Sequence, residues 1–267
     1  LAHTHKQLME SILFERIGEH LAKLSLNRPE VYNSFNRDMA LSLQQHLDVC
    51  AADETIRVIL LTGNGKAFCA GQDLQEVVAE DGPSMFTILS EHYNPIIERI
   101  RGIEKPVVCA VNGVAAGAGA NLALACDITV AGESASFIQA FSKIGLIPDS
   151  GGTFTLPRLI GMQRAAALMM LGERVPATAA EAMGLIYKTC PDDQLEATAT
   201  GIAIQLSLLP PIGLGLTKRA LNRSLTNNLT AQLALEEELQ VEAGMTEDFN
   251  EGVAAFLEKR KPVFRGK

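Results

Sequence analysis

Three segments of this chain carry residues that could do chemistry: one acid and two glycine-rich turns. The acid is Asp149, in Ile147-Pro148-Asp149-Ser150-Gly151-Gly152-Thr153. Between an apolar run and a Gly-Gly turn, an aspartate either caps the helix expected over Phe154–Ile160 or moves protons from a dry pocket. The first turn, Thr62 to Leu74, follows a buried apolar run; it lacks the hydroxyl of a nucleotide-binding loop, because Ala67 follows Gly65-Lys66. The second, Asn112 to Asn121, has only part of a dinucleotide fingerprint, since Leu122 stands at the third glycine position. Close packing of small residues is the plain reading of both. If the two turns converge, backbone N–H groups at Ala70 and Ala118 form a two-donor oxyanion hole, each donor worth about 3 to 4 kcal/mol to a transition state.

These segments need a scaffold, and composition limits what it can be. The chain has 267 residues, 47% hydrophobic and 20% charged, which fits a folded globular protein. Its net charge of −8 argues against a nucleic-acid or membrane-surface binder, yet leaves room for a small anionic ligand held by local cations and backbone N–H groups. Its apolar runs are too short for a membrane span, and no signal peptide is visible before Met9. The segment preceding Met9 is set aside from the fold as a frayed or non-native tail. Five cysteines, Cys50, Cys69, Cys109, Cys126 and Cys190, have neither redox nor metal spacing and read as free thiols in a reducing cytoplasm. Beyond His3 and His5 the histidines do not cluster, so no metal site is expected.

Patterning supplies the elements. Ile12–Ile17 and Leu21–Leu26 alternate around Gly18-Glu19 and predict a hairpin. Asn36 predicts the cap of a helix to about Cys50. Val58–Leu61 and Val107–Val111 read as strands buried on both faces, with helices expected over Pro83–Arg101 and Ala116–Ala125. A short strand is expected at Ile128–Val130, and the last strand signal at Leu185–Tyr187. Helices follow at about 193–206, 211–224, 229–243 and 247–260. The fold class is therefore α/β with repeated crossovers and a helical C-terminal appendage.

Several blocks resemble the enoyl-CoA hydratase/isomerase (crotonase) superfamily: Leu26-Asn27-Arg28-Pro29, Phe68-Cys69-Ala70-Gly71-Gln72-Asp73-Leu74, Lys105-Pro106-Val107, Val111-Asn112-Gly113, Ala125-Cys126-Asp127-Ile128, Gly145 to Arg158, and Glu251-Gly252 through Lys259-Arg260. They occur in order across residues 11–267. The resemblance implies a ββα spiral core over 11–205 and a helical region over 206–267 that builds trimers, possibly paired into hexamers. It implies an acyl-CoA thioester substrate, so that CoA is part of the substrate and no separate cofactor is needed. It matches the oxyanion donors to Ala70 and Ala118, and it places the backbone of Gln72, Asp73 and Leu74 near the CoA adenine. Asp73 is otherwise a structural acid. Phe256 and Lys259 become candidate adenine or phosphate contacts, against the plain reading of a solvated helix end.

The chain departs from the hydratases of that superfamily at both glutamates that split water. Asn121 stands at the first, and Phe141 at the second, in Ile138-Gln139-Ala140-Phe141. Neither can be a general base, so hydration is not expected. Asn121 reads either as a substrate contact or as a polar residue facing its own helix, and Phe141 as part of the substrate pocket. Ala140 to Gly152, Gly213 to Leu216 and Phe256 to Arg260 are similar to the branch that isomerises ring-1,2-epoxyphenylacetyl-CoA in phenylacetate degradation. That implies Asp149 as the catalytic acid/base of an isomerase. Phe137, Phe141, Ile144 and Ile147 are expected to line its pocket and raise its pKa. A fatty-acid Δ3,Δ2-enoyl-CoA isomerase is the alternative, followed by an enoyl-CoA hydratase or a non-catalytic acyl-CoA-binding protein. A nucleophilic aspartate is disfavoured, because the aryl-CoA dehalogenases that use one rely on a tryptophan and this chain has none.

Overall fold

The computed structural model describes residues 10–267. The opening segment, with His3 and His5, lies outside the described residues. The strands are β1 (Ile12–Ile17), β2 (Leu21–Leu26), β3 (Val58–Gly63), β4 (Ala67–Cys69), β5 (Val107–Val111), β6 (Val114–Ala116), β7 (Ile128–Gly132), β8 (Ser136–Ile138), β9 (Arg174–Pro176) and β10 (Lys188–Cys190). The helices are α1 (Arg37–Ala52), α2 (Leu74–Val77), α3 (Met85–Thr87), α4 (Asn94–Gly102), α5 (Ala118–Ala125), α6 (Gly152–Ile160) and α7 (Met162–Leu171). They continue with α8 (Ala177–Ala182), α9 (Leu195–Ser207), α10 (Pro211–Ser224), α11 (Leu229–Gly244) and α12 (Glu247–Glu258).

Two sheets result. The larger runs β1-β2-β3-β5-β7-β10, parallel except for the β1–β2 hairpin. The smaller runs β4-β6-β8-β9, parallel except for β9. Each successive pair of strands, β3 with β4, β5 with β6, β7 with β8, gives one strand to each sheet before the chain turns into helix, which is a ββα spiral.

Strands buried on both faces explain the unbroken apolar runs. Ile59, Leu61, Cys109 and Val111 point into one core with α1 and α5, while Val58, Leu60, Val108 and Ala110 point into another under Leu195, Ala199 and Ala203 of α9. The Asn36 cap is present, its side chain accepting from Met39 N–H at 3.0 Å. The C-terminal helices are tied to this core by a buried charge. Lys218 on α10 pairs with Asp127 at 2.7 Å and donates to the carbonyls of Ile100 and Lys105. Burial lowers its pKa, and Asp127 opposes that.

Three expectations need correction. Val114–Ala116 is strand β6, and α5 begins two residues later, at Ala118. The alternation that marks a strand is invisible in three small residues. The last strand is Lys188–Cys190, beside β7, and not Leu185–Tyr187. Leu185 and Ile186 are apolar because they pack in the main core. The helix expected over Pro83–Arg101 starts at Met85 and switches to π-helical pairing over Ile88–Tyr93 before α4, with Asn94 N–H donating to Leu89 O. That extra residue per turn shifts the helix face and buries Ile88, His92 and Tyr93 together.

Candidate active site

A cavity of about 430 Å³ opens beyond the C-terminal ends of β4, β6 and β8 of the smaller sheet, lined by residues from both glycine-rich turns, the π-helical segment and the loop before α6. Ala70, Gln72, Leu74, Ala118, Phe141 and Asp149 all border it. Its walls are otherwise mostly apolar, from Val77, Met85, Ile88, Ile144 and Leu146. Among the described residues, Asp149 is the only carboxylate in this lining.

The two turns touch at Gly71. Its φ is +93°, and a Cβ there would lie 3.0 Å from Ala116 O and 3.7 Å from Ala118 N. Any side chain would force the loops apart. Ala118 opens α5, so its N–H belongs to the first turn and has no intrahelical acceptor. Gly117 before it, at φ 54° and ψ −127°, aims that N–H outward, a backbone conformation open to glycine.

Ala70 does not offer a second free donor: its N–H already donates to Tyr32 O at 3.0 Å. The free group is two residues on. Phe35 forms a parallel bridge with Gln72. Phe35 N–H donates to Gly71 O at 2.7 Å, and Asp73 N–H donates to Phe35 O at 2.8 Å. Those bonds use the peptide groups flanking Gln72, so its own N–H faces the opposite side, toward the Ala118 loop. Motif spacing could not distinguish the two amides, because the choice depends on which edge of the bridge faces Phe35.

The Gln72 side chain is fixed as well. It accepts from the Tyr93 hydroxyl at 2.9 Å and donates to Glu76 at 3.0 Å. Tyr93 lines the cavity, and burial raises its pKa well above the ordinary phenol value. Nothing in the sequence marks Tyr93, since its placement depends on the π-helical shift.

Asp149 is not a helix cap. The N-cap of α6 is Gly151, with no side-chain bond. The Asp149 carboxylate instead accepts from Ser150 Oγ at 2.8 Å and faces the cavity. Burial raises its pKa above the ordinary carboxylate value, opposed by the hydrogen bonds from Ser150 and its own backbone. Phe141 and Ile144 are in the lining as expected. Phe137 is packed inside the core and Ile147 is 80% exposed, so neither belongs to the lining.

Two other candidates are held elsewhere. Asn121 is buried and outside the lining: its amide donates to Asp149 O at 2.8 Å and accepts from Gln139 Nε2 at 2.8 Å. Asp73 pairs with Arg28 at 3.0 Å and accepts from Gln75 N–H at the start of α2. Its carboxylate is structural. Phe256 and Lys259 sit at the end of α12, outside this lining, with Phe256 83% exposed and Lys259 terminating the helix in a left-handed conformation.

Comparison with known proteins gives this architecture its relatives. The family model described as enoyl-CoA hydratase/isomerase matches residues 16–267. The chain belongs to the enoyl-CoA hydratase/isomerase family. The 1,2-epoxyphenylacetyl-CoA isomerase of Escherichia coli K12 is 47% identical to it, over 97% of this chain and 100% of the relative. A probable enoyl-CoA hydratase of Rhodobacter capsulatus is also 47% identical, over 94% and 96%. The crystal structure of an enoyl-CoA hydratase from Bacillus anthracis superposes with a TM-score of 0.91 at 35% identity, covering 96% of this chain and 100% of that one. The chain is an enzyme of the isomerase class in this family of enoyl-CoA hydratases and isomerases. Among the described residues no single helix is long and apolar enough to cross a membrane.

Gly152 is a test of the packing below the family's cavity. A Cβ there would lie 2.4 Å from Asn121 Nδ2. That amide is bonded at both ends and cannot swing aside. Gly152→Ala is expected to destabilise by about 1–3 kcal/mol through overpacking. The check is a lower urea midpoint with an unchanged slope.

Proposed function

We propose that this enzyme converts ring-1,2-epoxyphenylacetyl-CoA to the oxepin thioester and also shifts enoyl-CoA double bonds. The observation that carries this reading is a single desolvated carboxylate, Asp149, in an apolar cavity bordered by the outward-facing N–H groups of Gln72 and Ala118. A thioester oxygen seated between those amides becomes enolate-like when a proton leaves carbon, and the two dipoles stabilise the charge. Asp149 takes the proton at one carbon and returns it at another. Its burial favours the return, because a raised pKa keeps the proton within reach of the enolate. No second acid is required. The epoxide rearrangement uses the same stabilisation, with at most the same proton shuttle.

The raised pKa sets the pH dependence. Asp149 starts the cycle ionised, so kcat/KM falls as pH drops through its pKa, above the ordinary aspartate value.

The enzyme is expected to turn over both cis-3-hexenoyl-CoA and the ring epoxide, followed by ultraviolet absorbance and mass, while adding no water to crotonyl-CoA. Turnover of hexenoyl-CoA with none of the epoxide would sink the ring-epoxide assignment. The aliphatic walls from Leu74, Val77, Met85 and Ile88 favour a second reading in that case, a Δ3,Δ2-enoyl-CoA isomerase.

We further propose a cytoplasmic enzyme of phenylacetate catabolism that needs no cofactor. Residues 206–267 are its assembly region, building a trimer or a pair of trimers. Apolar side chains exposed on the C-terminal helices, Leu233, Phe249 and Phe256 among them, support that assembly.

A further inference from the structure

Few hydrogen bonds tie the loop that carries Asp149 to its surroundings: upstream, Leu146 N–H donates to Phe141 O at 3.0 Å. Ser150 is a non-glycine residue at φ 50°, and Gly151 follows at φ 74°. Both are left-handed, and for Ser150 that conformation is disfavoured. The bond from Gly152 N–H to Asp149 O and those from Phe154 and Thr155 N–H to Gly151 O stay within the loop and α6. Among the described residues, the hydrogen bond that joins Asp149 to a different element is the one it accepts from Asn121 Nδ2 at 2.8 Å.

Asn121 lies on α5, three residues after Ala118, a rise of about 4.5 Å along the helix. It is 2% exposed. Its Oδ1 accepts from Gln139 Nε2, which turns Nδ2 toward the Asp149 carbonyl. Gln139 is itself buried, and its Oε1 has no hydrogen-bond partner. A buried acceptor left unpaired is costly, so a polar side chain retained there has the fixed orientation of Asn121 to show for it. Gly152 packs so tightly on the Asn121 amide that the contact leaves no slack.

We infer that Asn121 is a positioning residue: one amide braces the Asp149 loop against the same helix that presents the Ala118 N–H, fixing the acid relative to the oxyanion site. This rests on the reading of Asp149 as the acid/base. Asn121 itself lies outside the cavity lining. Without the brace the loop relaxes outward and water reaches the carboxylate. The other titratable groups lining the cavity are Tyr93 and Lys143, with Glu76 behind Gln72, and none of them bonds to Asn121.

The test uses Asn121→Ala, which leaves a void, and Asn121→Leu, which fills the space without the bonds. Turnover of cis-3-hexenoyl-CoA is expected to fall on the order of 10²-fold in kcat, as a displacement near 1 Å costs, with KM near the wild-type value. The acidic limb of the kcat/KM profile is expected to move to lower pH, because a solvated Asp149 has a lower pKa. The red shift of bound 4-(dimethylamino)cinnamoyl-CoA, which reports polarisation of the thioester carbonyl, is expected to persist. Wild-type kcat with an unmoved limb in Asn121→Leu overturns the inference. Loss of the red shift alongside kcat also overturns it, since the helix and not the loop has then failed. Asp149→Asn is measured in parallel: if it exchanges substrate deuterium like the wild type, the reading of Asp149 fails. If it is inactive while both Asn121 variants are normal, only the brace fails.

Discussion

Asp149→Asn retains fold and thioester binding but loses proton transfer, with kcat reduced on the order of 10²- to 10⁴-fold, the usual contribution of a positioned acid/base. The carboxamide preserves the shape of the side chain and can still accept from Ser150 Oγ, which bonds the wild-type carboxylate at 2.8 Å. What disappears is the ability to take a proton. Deuterium washing into cis-3-hexenoyl-CoA from heavy water is the direct measurement. Exchange at the wild-type rate would show that Asp149 takes no part in moving the proton.

The same substitution is expected to raise stability. Burial raises the pKa of Asp149 in the folded state above its unfolded value, so the folded state binds this proton more tightly. The sign follows: its contribution favours folding below the unfolded pKa and is lost as pH rises through the folded pKa. Above the folded pKa the wild type carries an ionised carboxylate in an apolar cavity, and asparagine does not. Asp149→Asn therefore melts above the wild type at pH values above the folded pKa, and the gap narrows as pH falls through it. A stability gain paired with lost turnover marks a site kept under strain for function.

Much of this scaffold is legible in the residues. The β1–β2 hairpin, the Asn36 cap and the strands β3 and β5 follow from local alternation, capping and apolar runs. The second sheet is not legible, because β4, β6, β8 and β9 are each three residues long, and β4 and β6 are partly built from alanine. No period can be read from so few positions. The site shows the same division. Asp149, Ala118 and Phe141 stand out by type and neighbours, and all three reach the cavity. Choosing Gln72 over Ala70 requires knowing that Phe35 bridges one edge of that turn, a contact across 37 residues. Placing Tyr93 requires the π-helical shift, and recognising Asn121 as a brace requires the position of the Asp149 carbonyl. Side-chain type is a local property; which way a peptide group faces is set by the partner it meets.

Ala118→Pro isolates the proposed oxyanion site from the proposed acid. Position 118 is the first residue of α5, where proline is well tolerated, because its fixed φ suits the helix and the missing N–H has no helical acceptor. The helix therefore survives, and one donor is removed from the carbonyl site. Losing a donor of this kind costs on the order of 10²- to 10³-fold in kcat. The ring Cδ also occupies the space where the thioester oxygen would approach, so KM rises as well. The spectral signature separates this variant from the others. The red shift of bound 4-(dimethylamino)cinnamoyl-CoA collapses in Ala118→Pro, while it persists in Asp149→Asn, which leaves both amides in place. Urea unfolding with an unchanged slope verifies that the helix is intact. A proline variant that keeps both its turnover and its red shift would place the carbonyl elsewhere in the cavity, and Gln72 and Ala118 would then be a free pair of amides with no charge to stabilise.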